Sequence, residues 1–118
     1  MRGIISGIIV NRKIAAATAS QDAVALGNML PTASARERAA IFKALGSLKD
    51  SDAAFWALIE YLHNTDARLR ALAASALGDL GNARAVKHLA HQLKTETDER
   101  AAEAVRRAME ELQNERNQ

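Results

Sequence analysis

The chain has 118 residues with a net charge of +2, and 26 of its residues are alanine whereas only four are aromatic. A charge this small gives no support to strong nucleic-acid or membrane affinity, and the absence of cysteine excludes disulfides, thiol catalysis and thiolate metal sites. Because alanine and leucine favour helices and there is a single proline, the composition predicts an all-α protein.

The first predicted element is a helix over residues 4–17, although the isoleucine-rich run 3–10 also suits a strand on propensity alone. The run resembles the start of a signal peptide, but Arg12 and Lys13 interrupt it. About eight apolar residues also fall far short of the roughly 20 that span a bilayer. We therefore expect a cytoplasmic protein with no membrane partner. As a helix, this element is expected to bury Ile5, Ile8, Ile9 and Ile14.

An internal repeat of 32 residues relates three later segments, 34–48, 66–80 and 98–112. Each opens on a residue that can accept hydrogen bonds from free amides of a first helical turn, which predicts three helix starts. The capping residues are Ser34, Asp66 and Asp98. The columns that match across all three copies are Arg36, Arg68 and Arg100; Ala44, Ala76 and Ala108; Leu45, Leu77 and Met109; and Leu48, Leu80 and Leu112.

Each repeat except the last is predicted to continue with a second helix, over residues 21–30, 52–63 and 83–94. The latter two segments superimpose best at an offset of 31 residues rather than 32. Each shows apolar side chains at helical spacing. The expected buried residues are Ala23, Leu26 and Leu30; Phe55, Leu58, Ile59 and Leu62; and Val86, Leu89, Ala90 and Leu93. We therefore predict a single domain over residues 1–118, with approximate repeats 4–31, 34–63 and 66–94 and a capping helix 98–115.

Three glycines lie near the ends of the first helices. Gly81 follows Leu80, where a chain leaving a helix often needs a positive φ. Gly46 and Gly78 either help to end their helices or permit close packing between them, and the sequence leaves both readings open.

The middle copy, residues 66–93, resembles a HEAT-like repeat of the type first named from phycobilisome lyases. The resemblance rests on the Leu69-Arg70 pair, the Ala-Leu-Gly-x-Leu-Gly run at 76–81, the Ala85-Val86 pair, Leu89 and Leu93. It implies a short right-handed α-solenoid of paired antiparallel helices, about three and a half repeats long, whose second helices line the concave side. It also implies a role in holding partner proteins, although some members act on tetrapyrroles, lipids or nucleic acid.

Arg38 and Arg70 occupy equivalent positions in consecutive first helices. The resemblance implies that such arginines form a ladder between repeats. We expect them to donate to neighbouring backbone carbonyls or to Asp66 and Asp98, and so to set the register of the stack.

Chemistry-bearing residues form no recognisable catalytic constellation. His88 and His91 lie three apart on one predicted helix, but a metal site needs three or four ligands and no further one is near in sequence. No strained Gly-x-Ser-x-Gly turn and no phosphate-binding glycine loop is present. We expect no enzymatic activity, no metal and no cofactor.

The strongest binding candidates point away from the core on the second helices. At the 31-residue step, Trp56 matches Lys87, Glu60 matches His91 and His63 matches Lys94. Aromatic and amphipathic side chains dominate interface energetics, so we predict a partner-binding stripe made of Trp56, Glu60, His63, Lys87, His91 and Lys94. The alternative is that Trp56 folds down against Leu26 or Leu30.

The predicted function is that of a non-enzymatic protein-binding scaffold or adaptor with an unidentified protein partner. A second hypothesis is a homodimer formed through the apolar helix 4–17. A third, which the charge makes weaker, is nucleic-acid binding through the basic half: residues 1–49 carry seven basic and two acidic side chains, whereas 50–118 carry nine and twelve.

Overall fold

The computed structural model describes residues 2–116, and the side chains of residues 7–115. Over that range the chain is helical and contains no strand, so the expected all-α class is confirmed. The elements are α1 (Arg2–Ala19), α2 (Ala23–Met29), a 3-10 helix (Leu30–Thr32), α3 (Ala35–Gly46), α4 (Asp52–Leu62), α5 (Ala67–Leu80), α6 (Ala85–Thr95) and α7 (Glu99–Arg116).

The helices form two layers. The first helices α1, α3, α5 and α7 contact one another in succession, and the second helices α2, α4 and α6 do the same beside them. The resulting body is elongated, 45 × 30 × 19 Å, as expected for a single stack. The protein is therefore a short α-solenoid.

The helix starts lie at the predicted capping residues. Ser34 and Glu37 form a reciprocal capping box: the Glu37 amide donates to the Ser34 hydroxyl, and the Ser34 amide donates to the Glu37 carboxylate at 2.8 Å. Asp66 accepts from the Arg68 amide at 2.9 Å, and Asp98 from the Ala101 amide at 2.9 Å. Local capping chemistry thus fixes where three first helices begin.

Close approach between α5 and α7 explains Gly78. A Cβ atom at this position would lie 3.1 Å from Ala108 Cα, and one at Gly46 would lie 3.0 Å from the Ala76 carbonyl oxygen. The sequence leaves open whether Gly46 and Gly78 end their helices or permit close packing, and these distances favour close packing. Gly81 ends α5 with a φ of 74°, in agreement with the prediction for that residue.

The core lies between the two layers and contains the predicted apolar stripes of α2 and α4. Leu26, Leu30, Phe55, Leu58 and Leu62 are buried. On α6, Leu89 is buried, while Val86 and Leu93 pack against the core with part of their surface exposed.

The first helix departs from the sequence expectations at two residues. It is a helix rather than a strand, and Ile14 is buried as predicted, but Ile8 and Ile9 are 48% and 47% exposed, so their predicted burial is wrong. The physical reason is position: within the described residues α1 lies at one end of the first-helix layer, and its main contacts are with α2 and α3. The side chain of Ile5 lies outside the described residues.

Candidate functional site

The predicted stripe lies on the exposed side of the second helices, and we call it the second-helix face: Trp56, Glu60, His63, Lys87, His91 and Lys94. All six residues are exposed. The Trp56 indole is 52% exposed, so the alternative in which it folds into the core is not found.

Aromatic neighbours hold the Trp56 indole in place. Its ring lies edge-on to the buried Phe55 ring at a centroid distance of 4.9 Å and edge-on to the His88 imidazole at 5.9 Å. The Arg84 guanidinium covers the Phe55 ring at 4.6 Å and pairs with Asp52 at 2.7 Å. One part of the indole is therefore fixed by packing while the rest faces solvent, which limits the entropy that a partner would have to remove.

His88 is a member of this cluster that sequence reasoning missed. It is half-buried rather than solvent-facing, and burial, followed by the nearby Lys87 charge, lowers the pKa of its imidazole. At neutral pH the His88 imidazole is therefore uncharged and packs against Trp56 as an aromatic ring. A 32-residue step from Trp56 reaches His88, whereas the 31-residue step used for these helices reaches Lys87.

Val24 extends the apolar part of the face. It lies one 32-residue step before Trp56, on α2, and is 63% exposed. Val24 and Trp56 thus present apolar groups at equivalent positions of successive second helices, and α6 presents Lys87 and His91 after them. The exposed apolar groups therefore lie on α2 and α4, and the lysines of the second-helix face lie on α6.

His63 is exposed, and its side chain also contacts the side chain of Gln92 on α6. It follows α4 as the capping residue, and its Nδ1 lies 3.0 Å from Gln92 Oε1. Gln92 Nε2 donates in turn to Glu96 at 3.2 Å. One edge of the second-helix face is therefore tied to the contact between successive repeats.

Glu96 and Arg70 form the centre of that contact. The Glu96 side chain is fully buried and accepts two parallel hydrogen bonds from the Arg70 guanidinium, each 2.8 Å long. Arg70 also donates to the Asn64 and Thr65 carbonyls at 2.8 and 3.0 Å. The hydrogen bonds from Arg70 outweigh burial and lower the pKa of Glu96 to about 2.

The contacts expected of the arginine ladder are found at Arg70, with a different acid, and not at Arg38. Arg70 uses neighbouring carbonyls, as predicted, but its carboxylate partner is Glu96 rather than Asp66 or Asp98. Arg38 makes one long contact, from Nε to the Leu30 carbonyl at 3.5 Å. Glu96 lies in the link after α6, where no helical periodicity marks a residue as buried, so the sequence pattern did not indicate it.

Metal chemistry has no support in the part of the chain that the structure describes. No group of three or more histidine or carboxylate side chains there is placed to hold an ion, and His88 and His91 gain no third ligand. Among the described helices none is long and apolar enough to cross a membrane.

A comparison with protein families decides the assignment. The family model for HEAT repeats matches residues 23–110, which span most of α2 to α7. The chain belongs to the HEAT-repeat family. Comparison of this HEAT-repeat protein with curated proteins and with solved structures gives no match. HEAT repeats commonly serve as protein-interaction modules and are generally non-enzymatic.

Proposed function

We propose that this HEAT-repeat protein is a non-enzymatic adaptor whose second-helix face, on the concave side of the solenoid, binds a protein partner. The observation that carries the proposal is Trp56: a large aromatic side chain that is half exposed yet held by Phe55 and His88. Exposed tryptophans in fixed orientations are typical interface anchors. Lys87, His91 and Lys94 supply the polar rim around it.

The repeat type supports the same proposal. The Leu69-Arg70 pair and the Ala-Leu-Gly-x-Leu-Gly run at 76–81 favour the phycobilisome-lyase type of HEAT repeat. In this chain Arg70 and Gly78 lie on the first helix α5 and serve packing between repeats, whereas the residues of the second-helix face are exposed.

Replacing Trp56 and Lys87 together by alanine should weaken partner capture at least about tenfold, because the aromatic anchor and one cation of the second-helix face are both removed. Helix content should stay unchanged, since both side chains project from the fold. The measurement is a pull-down from a lysate of the source organism with quantitative mass spectrometry.

The matched control replaces two exposed residues of α7, Arg107 and Gln113, by alanine. A partner retained by the control and lost by the Trp56/Lys87 variant would support the site. Equal recovery with both variants would contradict it.

A second candidate function, homodimerisation, is favoured by α1. Ile8 and Ile9 are adjacent, large and about half exposed on the outermost helix of the stack, where a second copy could cover them.

For this candidate we expect the wild type to be a dimer at micromolar concentration. The Ile8→Glu/Ile9→Glu variant should be a monomer, because burying two carboxylates in an apolar interface is costly. Light scattering coupled to size exclusion gives both masses. A monomeric wild type would contradict homodimerisation through α1.

A further inference from the structure

A row of three arginines runs along one edge of the first-helix layer. Arg36, Arg68 and Arg100 are each the second residue of their helix, α3, α5 and α7, and all three are exposed. The Arg68 side chain is 88% exposed. A cation in the first turn opposes the helix macrodipole, so helix stability does not explain why the same residue type is found there in three consecutive repeats.

The acids near this row already have hydrogen-bond partners, whereas two of the arginines have none and Arg68 has one weak contact. The side chains of Arg36 and Arg100 make no hydrogen bond or ion pair within residues 7–115, and Arg68 makes only a 3.5 Å contact with Asp66. The acids are held as follows: Glu37 by the Ser34 amide, Asp66 by the Arg68 amide, Asp98 by the Ala101 amide, and Glu99 and Glu103 by the Arg106 guanidinium.

A groove of about 540 Å³ lies between α5 and α7 beside two of these arginines. Arg68 and Arg100 line it, and Asp98 lies there with its carboxylate accepting from the Ala101 amide of its own helix. The rest of the lining is apolar: Ala67, Ala71 and Leu72. The groove therefore combines two exposed guanidinium groups with an apolar floor. Arg100 has no side-chain partner within residues 7–115, and Arg68 has a single 3.5 Å contact with Asp66.

We propose that this groove, which we call the arginine groove, binds an acidic peptide segment in an extended, polyproline-like conformation. Its carboxylates would pair with Arg68 and Arg100, and an apolar side chain between them would contact Leu72. This site is separate from the second-helix face, because it is built entirely from the first-helix layer.

Geometry and charge both favour this occupant. Packed helices lie about 8–10 Å apart, and a polyproline helix brings every third side chain to the same face at about 9 Å. Acidic residues three apart can therefore meet successive arginines of the row. A guanidinium binds a carboxylate through two parallel hydrogen bonds, which a flexible ammonium cannot do. The groove lining has no aromatic side chain on which bases could stack, which argues against single-stranded nucleic acid.

The test uses a fluorescein-labelled peptide of four Glu-Pro-Leu repeats and fluorescence anisotropy with the full chain. We expect saturable binding that weakens as salt is added. The Arg68→Gln/Arg100→Gln variant should bind at least about tenfold more weakly, because both charge-assisted contacts are lost. The control variant Arg12→Gln/Lys13→Gln removes the same charge from exposed positions on α1 and should bind as the wild type does.

Three results would overturn the proposal, provided that circular dichroism shows both variants to be folded. The first is no saturable binding of the peptide by the wild type. The second is an equal loss in the α1 control, which would show attraction to net charge alone. The third is tighter, Arg68- and Arg100-dependent binding of a labelled oligothymidylate of matched length, which would make the groove a nucleic-acid site.

Discussion

Replacing Glu96 by glutamine should lower the free energy of unfolding by about 3 kcal/mol at pH 7, the largest effect we expect from a change of one charge. The pKa of Glu96 is about 2 in the folded protein, against 4.5 as its ordinary value, and each unit corresponds to about 1.4 kcal/mol. The substitution leaves the Arg70 guanidinium, which is only 14% exposed, without its anion.

The effect should depend on pH in one direction. Because the folded-state pKa is lowered, the stabilisation by Glu96 is complete above pH 4.5 and is lost as the pH falls towards 2. The stability difference between wild type and Glu96→Gln should therefore shrink by about half at pH 3. Urea unfolding followed by circular dichroism at pH 7, 5 and 3 measures this difference.

A suitable control is Glu99→Gln, which breaks the exposed pair with Arg106. Exposed ion pairs contribute little, so at pH 7 this variant should lose far less stability than Glu96→Gln. If Glu96→Gln were as stable as the control at pH 7, the Arg70–Glu96 pair would not hold successive repeats together.

Replacing Gly78 by valine should lower the free energy of unfolding by about 2–3 kcal/mol, even though valine has a higher intrinsic helix propensity than glycine. A Cβ atom at this position would approach Ala108 Cα and Cβ to 3.1 and 3.2 Å, and the valine methyl groups would require α5 and α7 to separate. Thermal and urea unfolding of the variant measure the cost.

Gly27→Ala on α2 is the matched control. A Cβ atom at Gly27 meets nothing within 4 Å, so here the gain in helix propensity should act alone and raise stability by about 0.5–1 kcal/mol. Opposite signs for the two substitutions would establish that Gly78 is required by packing. A neutral or stabilising Gly78→Val would contradict the close α5–α7 contact.

Local sequence signals were sufficient to predict most of the fold. The capping residues Ser34, Asp66 and Asp98 act within one turn of the chain, and the apolar stripe of α4 follows from helical spacing, so both could be predicted without knowledge of neighbouring helices. Burial on α1 could not be predicted in this way. Ile8 and Ile9 have the spacing of core residues, but the helices that α1 contacts, α2 and α3, leave about half of their surface exposed.

The candidate site was predictable only in part, because exposure depends on contacts between helices. The sequence left open whether Trp56 faces solvent, and the structure places half of its surface there. His88 was missed because the step between α4 and α6 can be taken as 31 or 32 residues, and the two choices exchange Lys87 for His88. Glu96 was missed because a link between helices has no periodicity from which burial can be predicted.

The claim that the second-helix face binds the partner is tested most directly by site-specific photo-crosslinking. A photoreactive amino acid would be placed in turn at position 56 on α4 and at position 113 on α7, both of which are exposed. We expect a covalent adduct with the captured partner from position 56 and none from position 113. An adduct from position 113 with none from position 56 would contradict binding through the second-helix face.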